Sequence, residues 1–243
     1  GAFTYTPNLN ATGADSFTFK VNDGTVDSAP ATISVNITAV NDVPVANAQS
    51  ITPIEDTLYN GTLSGSDVEG SALTYTIVTN PTKGTVVVTD AATGAFTYTP
   101  NLNATGVDSF TFKVNDGTVD STPATISVNI QATQDAPVIT PIATVVYTNT
   151  NAMDTFANNT GSISATDADI GTVLVFGITG QGVTISNGVA TRIGTYGTLV
   201  VNTTTGAYTY TPNQSVLDRL SGNANDEFTL TASDGIDTTS VMY

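Results

Sequence analysis

The chain has 243 residues with no cysteine, histidine or tryptophan, and its 21 acidic residues outnumber 5 basic ones to give a formal net charge of −16. This composition excludes histidine- and cysteine-dependent nucleophiles and the nitrogen and sulfur ligand sets of zinc, copper and iron–sulfur centres, so only oxygen ligands remain for a metal. It also argues against nucleic acid and anionic membrane surfaces as partners, because both bind clustered Lys or Arg side chains.

The chain begins with a segment that recurs later almost unchanged. Gly1–Ile37 returns as Gly94–Ile130 after a shift of 93 residues, and a weaker third copy starts at Gly206. The first two copies differ at Ala14/Val107 and Ala29/Thr122. A repeat of roughly 90 to 105 residues has the size of one immunoglobulin-like sandwich and is too long for a solenoid turn.

Inside the repeat, short segments alternate apolar and polar residues as half-buried β-strands do. Residues 110–114 and 126–130 show this alternation, and residues 115–117, Asn-Asp-Gly, have turn chemistry. No window of the sequence shows a sustained helical period, and residues 216–220 amount to one helical turn. The sequence therefore predicts an all-β protein of tandem sandwich modules. No stretch approaches the roughly 20 apolar residues of a membrane span, so no membrane insertion is expected.

Module boundaries are predicted at residues 41–44 and 134–137, where a carboxylate-bearing turn and a proline precede the next first strand. We expect residues 1–42 to be the C-terminal half of a module, 43–135 a complete module and 136–243 a third module. The half-module lacks everything equivalent to residues 43–93, which would expose a core face and unpaired strand edges. Either the sequence is cut from a longer array, or the missing strands come from a neighbouring molecule.

Pairs of acidic residues mark candidate metal sites. Asp67/Glu69 and Asp167/Asp169 are spaced by two residues, which turns both carboxylates the same way on an extended strand end. This arrangement favours Ca²⁺, which binds carboxylate, amide and carbonyl oxygens, although aspartate also serves as an ordinary turn residue. Three other aspartates precede a core aromatic residue and are expected to accept loop hydrogen bonds: Asp15, Asp108 and Asp226.

Two groups of motifs together carry a family resemblance. The complete module contains Val43-Pro44-Val45, Glu55-Asp56-Thr57 and the segments 65–70, 94–100 and 108–117. The third module contains the segments 165–169, 206–212 and 231–235. The first group resembles the cadherin-like tandem repeats of large bacterial adhesins, including the RTX type exported by type I secretion, and the second is similar to the VCBS-type repeat of the same proteins. The resemblance implies immunoglobulin/cadherin-like β-sandwich modules.

The resemblance also implies Ca²⁺ at the module junctions, held by the linker, an Asp-x-Asp turn and an Asp-Gly turn. At the first junction the matching residues are Asn41, Asp42, Asp67, Glu69 and Asp116. At the second they are Asp135, Asp167, Asp169 and Asp234, with Glu55 supplied by the complete module.

The function that follows is structural and non-enzymatic. The resemblance implies an extender region of a secreted or cell-surface bacterial adhesin, stiffened by Ca²⁺ and serving cell adhesion and biofilm formation. Its partners would be neighbouring modules or identical chains, with a surface glycan or protein as a further ligand. One alternative is a subunit of an extracellular filament, in which another chain completes the half-module. A third is a glycan- or peptide-binding module, centred on the third module and its unusual insertion at residues 181–196.

Overall fold

The computed structural model describes residues 1–150, 153–169 and 171–243, and within these ranges it consists of β-strands and one helical turn. The predicted all-β class is confirmed. The chain divides into two compact units, Gly1–Thr133 and Gln134–Tyr243. In the part of the chain that the structure describes, no helix has the length and apolar character needed to cross a membrane.

The first unit contains eleven strands. They are β1 (Gly13–Phe19), β2 (Ala31–Ile37), β3 (Val45–Ala46), β4 (Gln49–Ile51), β5 (Tyr59–Thr62), β6 (Gly65–Ser66), β7 (Thr74–Thr79), β8 (Gly84–Asp90), β9 (Ala95–Pro100), β10 (Gly106–Asn115) and β11 (Ala124–Ile130). Strands β1 and β2 form a separate two-stranded sheet. The remaining strands build a sandwich from a four-stranded sheet in the order β4-β11-β10-β7, a three-stranded sheet in the order β5-β9-β8 and the pair β3-β6.

The core of this sandwich follows from the strict alternation along its central strands. In β10, Phe110, Phe112 and Val114 are fully buried, and in β11 every second residue from Ala124 to Ile130 is buried. Each fully buried side chain of this size contributes about 1.5–3 kcal/mol relative to an exposed one, so the two strands anchor the module. Strand β4 lies parallel to β11, whereas the other pairs of strands are antiparallel.

The second unit has a related plan, with a five-stranded and a three-stranded sheet where the first unit has a three-stranded and a four-stranded one. Its strands are β12 (Val138–Ile139), β13 (Asn159–Ser162), β14 (Ala165–Thr166), β15 (Val175–Thr179), β16 (Thr184–Ser186), β17 (Val189–Ile193), β18 (Gly197–Asn202), β19 (Ala207–Pro212), β20 (Thr229–Ser233) and β21 (Thr238–Met242), and helix α1 spans Gln214–Leu217. The sheets are β13-β19-β18-β17-β16, β15-β20-β21 and β12-β14. The insertion at residues 181–196 supplies β16 and β17, which extend the first of these sheets.

Two glycines let aromatic rings lie across the neighbouring strand. A Cβ atom on Gly61 would lie 2.5 Å from the ring of Phe96, and one on Gly161 would lie 2.4 Å from the hydroxyl of Tyr208. Both distances are far below van der Waals contact, so any side chain at these positions would displace a core ring.

Two candidate cation sites

The first candidate site ties the linker of residues 41–42 to two loops of the first unit. The Asn41 side-chain amide donates to Oδ2 of Asp116 at 2.7 Å, and the backbone N–H of Asp42 donates to Oε2 of Glu69 at 3.0 Å. Beside them, Oδ1 of Asp67 accepts from the backbone N–H of Ser71 at 2.9 Å. The structure therefore joins Asn41 to Asp116 and Asp42 to Glu69, and Asp67 lies two residues before Glu69 in the same loop.

The second candidate site, within the second unit, has the same arrangement. The side-chain amide of Gln134 donates to Oδ2 of Asp234 at 2.8 Å, and the backbone N–H of Asp135 donates to Oδ2 of Asp169 at 2.9 Å. Oδ1 of Asp167 accepts from the backbone N–H of Asp169 at 2.9 Å. One carboxylate oxygen from each of Asp167, Asp169 and Asp234 lies within 4.8 Å of the other two.

Each site contains one buried carboxylate oxygen without a hydrogen-bond partner. These atoms are Oδ2 of Asp67 and Oδ2 of Asp167, which occupy equivalent positions in the two sites. An unpaired buried acceptor costs about 1–3 kcal/mol, and more when it is charged, so folded proteins rarely leave one without a partner. A hard cation is the natural partner for such an oxygen among other carboxylates, because Ca²⁺ takes only oxygen ligands.

Hydrogen bonds favour the ionised form of Asp116 at the first site and of Asp234 at the second. The pKa of Asp116 is lowered from its usual value, first by the backbone N–H of Val119 and then by the amide of Asn41. The pKa of Asp234 is lowered in the same way, first by the backbone N–H of Ile236. Both groups therefore remain acceptors well below neutral pH.

Glu55 contacts the C-terminal end of its own unit. Its side chain is only 3% exposed, and Oε1 accepts from the backbone N–H of Thr133 at 2.7 Å. The backbone N–H of Glu55 also donates to the carbonyl of Gln131. Its expected role as a ligand at the second junction stays a prediction.

The structure shows a second role of aspartate that the sequence did not reveal, in which the carboxylate accepts a hydrogen bond from a tyrosine hydroxyl. Asp108 accepts from the backbone N–H groups of Thr82 and Lys83 and from the hydroxyl of Tyr98 at 2.8 Å. In the second unit, Asp226 makes the corresponding contacts with Thr195, Tyr196 and Tyr210. The expectation that these aspartates accept loop hydrogen bonds is confirmed. The tyrosine partner could have been suspected from the ten-residue spacing shared by Tyr5/Asp15 and Tyr98/Asp108.

The second unit also contains a cavity of about 750 Å³. Aromatic residues lining it include Tyr147, Phe156, Tyr196, Tyr210 and Phe228, and the segment 220–226 forms part of its wall. Asn149, another lining residue, donates to the carbonyls of Leu217 and Leu220, while its Oδ1 is buried without a hydrogen-bond partner.

Comparison with known proteins agrees with the architecture. Residues 1–36 and 41–129, just over half of the chain, match the family model Big_9, described as a bacterial Ig domain. No curated protein matches the chain at a significant level.

Among solved structures, human CDH23 EC21-23 is 18% identical, with 95% of this chain and 73% of that chain covered at a TM-score of 0.54. Protocadherin gammaB7 EC3-6 is 14% identical, with 95% and 58% covered at a TM-score of 0.52. At these identities the likeness shows the fold, and it confirms the predicted immunoglobulin/cadherin-like sandwich.

An endo-fucoidan hydrolase of glycoside hydrolase family 107 is also similar, at 18% identity and a TM-score of 0.38. The alignment covers 98% of this chain, which spans about a third of the hydrolase, 34% of its length. A TM-score this low carries no argument about activity.

Proposed function

Because this chain belongs to the bacterial Ig domain family Big_9, we propose that it is an extender region of an extracellular bacterial adhesin whose module junctions are stiffened by Ca²⁺. In this proposal the chain is secreted or displayed at the cell surface and supports cell adhesion and biofilm formation. Its modules span residues 1–42, 43–135 and 136–243, and the parent protein is of the RTX type with a VCBS-like third module. The role is mechanical and non-catalytic, since the clustered carboxylates lie in the linkers and in turns that contact them.

The proposal rests on one arrangement of hydrogen bonds that occurs in both units, although their sequences differ. At each site a linker side-chain amide and a linker backbone N–H donate to two loop carboxylates, and a third carboxylate has a buried oxygen without a hydrogen-bond partner. Residues 1–36 and 41–129 match the family model whereas the second unit lies outside that match, yet both units contain the arrangement. A turn aspartate used only for capping does not require such an oxygen.

The donor sets fit Ca²⁺ in number and type. Ca²⁺ takes roughly six to eight oxygens and tolerates irregular geometry. The first set consists of Asn41, Asp42, Asp67, Glu69 and Asp116, and the second of Asp135, Asp167, Asp169 and Asp234, with Glu55 as the further predicted ligand. When bound, the ion would supply positive charge that neutralises mutual carboxylate repulsion and joins linker to loops.

Calcium-dependent thermal unfolding tests the proposal. We expect millimolar Ca²⁺ to raise the Tm of the chain above its value in EDTA, because an ion that binds the folded state stabilises it by about 2.7 kcal/mol at a hundred times its Kd. Asp67→Asn and Asp167→Asn should each remove part of this rise. Glu227→Gln, which removes one charge at an exposed residue outside both sites, is the matched control. An equal Ca²⁺ response in all variants would exclude these sites.

Stiffening is a separate consequence and needs its own measurement. We expect small-angle X-ray scattering to show a longer and less variable particle in Ca²⁺ than in EDTA. The double variant Asp67→Asn/Asp167→Asn should give the EDTA profile in both buffers. Ca²⁺ binding without any change in scattering would support the cation sites and contradict the mechanical role.

The cavity of the second unit favours one further candidate function, binding of a glycan. Aromatic faces of Tyr147, Tyr196 and Tyr210 and the unpaired oxygen of Asn149 combine stacking surface with a fixed polar group, as small-ligand sites do. A glycan array probed with the labelled full chain tests it. Binding that Tyr196→Ala abolishes would support this function, whereas an array without signal would reject it.

A further inference from the structure

The side-chain amide of the first linker contacts two oxygen atoms of the first cation site. Nδ2 of Asn41 donates to Oδ2 of Asp116 at 2.7 Å and to the backbone carbonyl of Asp42 at 3.2 Å. A carboxamide nitrogen has two hydrogens, so both of its donors are directed at oxygens. The amide thus joins the linker to the turn that follows strand β10.

The second linker makes the same contacts with a longer side chain. Nε2 of Gln134 donates to Oδ2 of Asp234 at 2.8 Å and to the backbone carbonyl of Asp135 at 3.2 Å. Glutamine has one methylene more than asparagine, yet its amide contacts the equivalent two oxygens. The two sites therefore share the position of the amide group rather than the length of the side chain that carries it.

Each of the two aspartates divides its oxygens between its own turn and the linker amide. Oδ1 of Asp116 accepts from the backbone N–H groups of Thr118 and Val119 at 2.6 and 2.7 Å, whereas Oδ2 accepts from the linker. Oδ1 of Asp234 accepts in the same way from the backbone of residues 236–237, and its Oδ2 accepts from the second linker. The carboxylate oxygen that remains for a cation is therefore the one that the amide contacts.

The residues of both sites include several carboxylates and no basic side chain. Within the part of the chain that the structure describes, ion pairs join Lys20 to Asp27 and Lys113 to Asp120, and none of these four residues belongs to either site. N–H groups are consequently the positively polarised partners of the site carboxylates. Amide hydrogens and a bound cation would compete for the same oxygens, because both are attracted to carboxylate and carbonyl groups.

We propose that Asn41 and Gln134 are positioning residues whose amides take the place of the cation while none is bound, and so keep each linker attached to the loops of its own unit. In the Ca²⁺-bound chain these amide N–H groups are released from the two oxygens. The exchange of amide for cation rests on the proposed Ca²⁺ sites, whereas the attachment of the linker in EDTA does not. Each linker is therefore attached without Ca²⁺ as well, through hydrogen bonds in place of ion ligands.

Hydrogen exchange of the linker backbone tests this attachment in the full chain. The reporter is the backbone N–H of Asp42, which donates to Glu69 at the first site, and its exchange is followed by NMR of the isotope-labelled protein. In EDTA, Asn41→Ala should accelerate this exchange about three- to tenfold, because a linker released from Asp116 exposes the N–H to water. The N–H of Asp135, at the other site, should exchange as it does in the wild type.

Further variants separate the role of the amide from a general loss of stability. Gln134→Ala should accelerate exchange at Asp135 and leave exchange at Asp42 unchanged. Asn41→Asp replaces the amide with a carboxylate of the same shape, so the Asp42 N–H should lose protection in EDTA and regain it in millimolar Ca²⁺. Asn129→Asp, which adds the same charge at an exposed position of β11, is the matched control and should behave as the wild type in both buffers.

The outcomes distinguish failure of the amide contact from failure of the cation sites. Equal exchange at Asp42 in EDTA for the wild type and Asn41→Ala would overturn the proposal. So would side-chain NH₂ signals of Asn41 and Gln134 that Ca²⁺ leaves unmoved while it raises the Tm, because the ion would then not replace the amide. If Ca²⁺ neither raises the Tm nor restores protection in Asn41→Asp, the cation sites and the exchange of amide for ion are rejected, and the EDTA results alone decide the attachment of the linker.

Discussion

One sequence occurs twice in this molecule, in two different surroundings. In the complete module, Ala95–Pro100 is strand β9, held between β5 and β8, whereas the equivalent residues 2–7 form no strand. The segments Gly13–Phe19 and Gly106–Phe112, in contrast, are strands in both copies. Pairing with a sequence-adjacent strand is thus sufficient for the hairpin, while the other strand requires partners from residues 43–93.

The largest expected difference between the two copies concerns one phenylalanine. Phe110→Ala should lower the free energy of unfolding by about 3–5 kcal/mol, because the ring is fully buried and its removal leaves a cavity. Phe17→Ala, the same substitution in the β1-β2 hairpin, should cost less than about 1 kcal/mol, as expected for a partly solvated site. Urea unfolding followed by circular dichroism measures both. Similar losses would mean that the hairpin face is covered in solution.

Glycine beneath an aromatic ring gives the next largest effect. Gly61→Ala should destabilise the complete module by about 1–3 kcal/mol, because the added Cβ collides with the buried ring of Phe96. Gly222→Ala, where nothing lies within 4 Å of the new Cβ, is the control for the change in backbone entropy. Both are compared by thermal unfolding. Equal Tm values for the two variants would show that the Phe96 ring can move aside.

Much of this architecture was predictable because the repeat and the period-two alternation are local signals. The alternation around Phe110 predicts which face of β10 is buried, and the structure confirms it. The duplication predicts that residues 1–37 have the strands of residues 94–130. It does not predict which of those strands form without partners, because strand formation at residues 2–7 depends on contacts from distant sequence.

The sequence likewise predicts only part of each candidate site. The spacing of Asp167 and Asp169 marks a carboxylate pair, but the contribution of a linker backbone N–H, as at Asp135, leaves no trace in residue identity. The role of Asp108 as a tyrosine partner likewise depends on how β9 and β10 face each other. Sequence spacing identifies the carboxylates, whereas their partners are set by the packing of strands that are far apart in the chain.

Acid should destabilise the complete module through Asp108. Burial raises the pKa of this carboxyl, but the N–H groups of Thr82 and Lys83 and the hydroxyl of Tyr98 outweigh it, so the net pKa is lowered. A carboxyl with a depressed pKa stabilises the fold above its unfolded pKa of about 3.9, and that stability is lost as the pH falls through the lower folded value.

Asp108→Asn should therefore cost about 1–3 kcal/mol at neutral pH and reduce the dependence of stability on pH below about 4. Asp15→Asn, the same change in the β1-β2 hairpin, should leave the unfolding of the complete module unaltered. Urea titrations at pH 7 and pH 3 provide the measurement. If Asp108→Asn leaves the dependence of stability on pH unchanged, other carboxylates are responsible for the loss of stability in acid.

The smallest predicted effect is a difference in Ca²⁺ affinity between the two cation sites. Among the described residues, a cluster of three carboxylates within 4.8 Å is found at Asp167, Asp169 and Asp234, so the second site is preorganised for a cation. At the first site Glu69 is exposed and must lose side-chain freedom on binding. We therefore expect Ca²⁺ titration calorimetry to resolve two affinities, with Asp167→Asn removing the tighter and Asp67→Asn the weaker. The reverse assignment would mean that linker flexibility, rather than the spacing of carboxylates, determines the affinity.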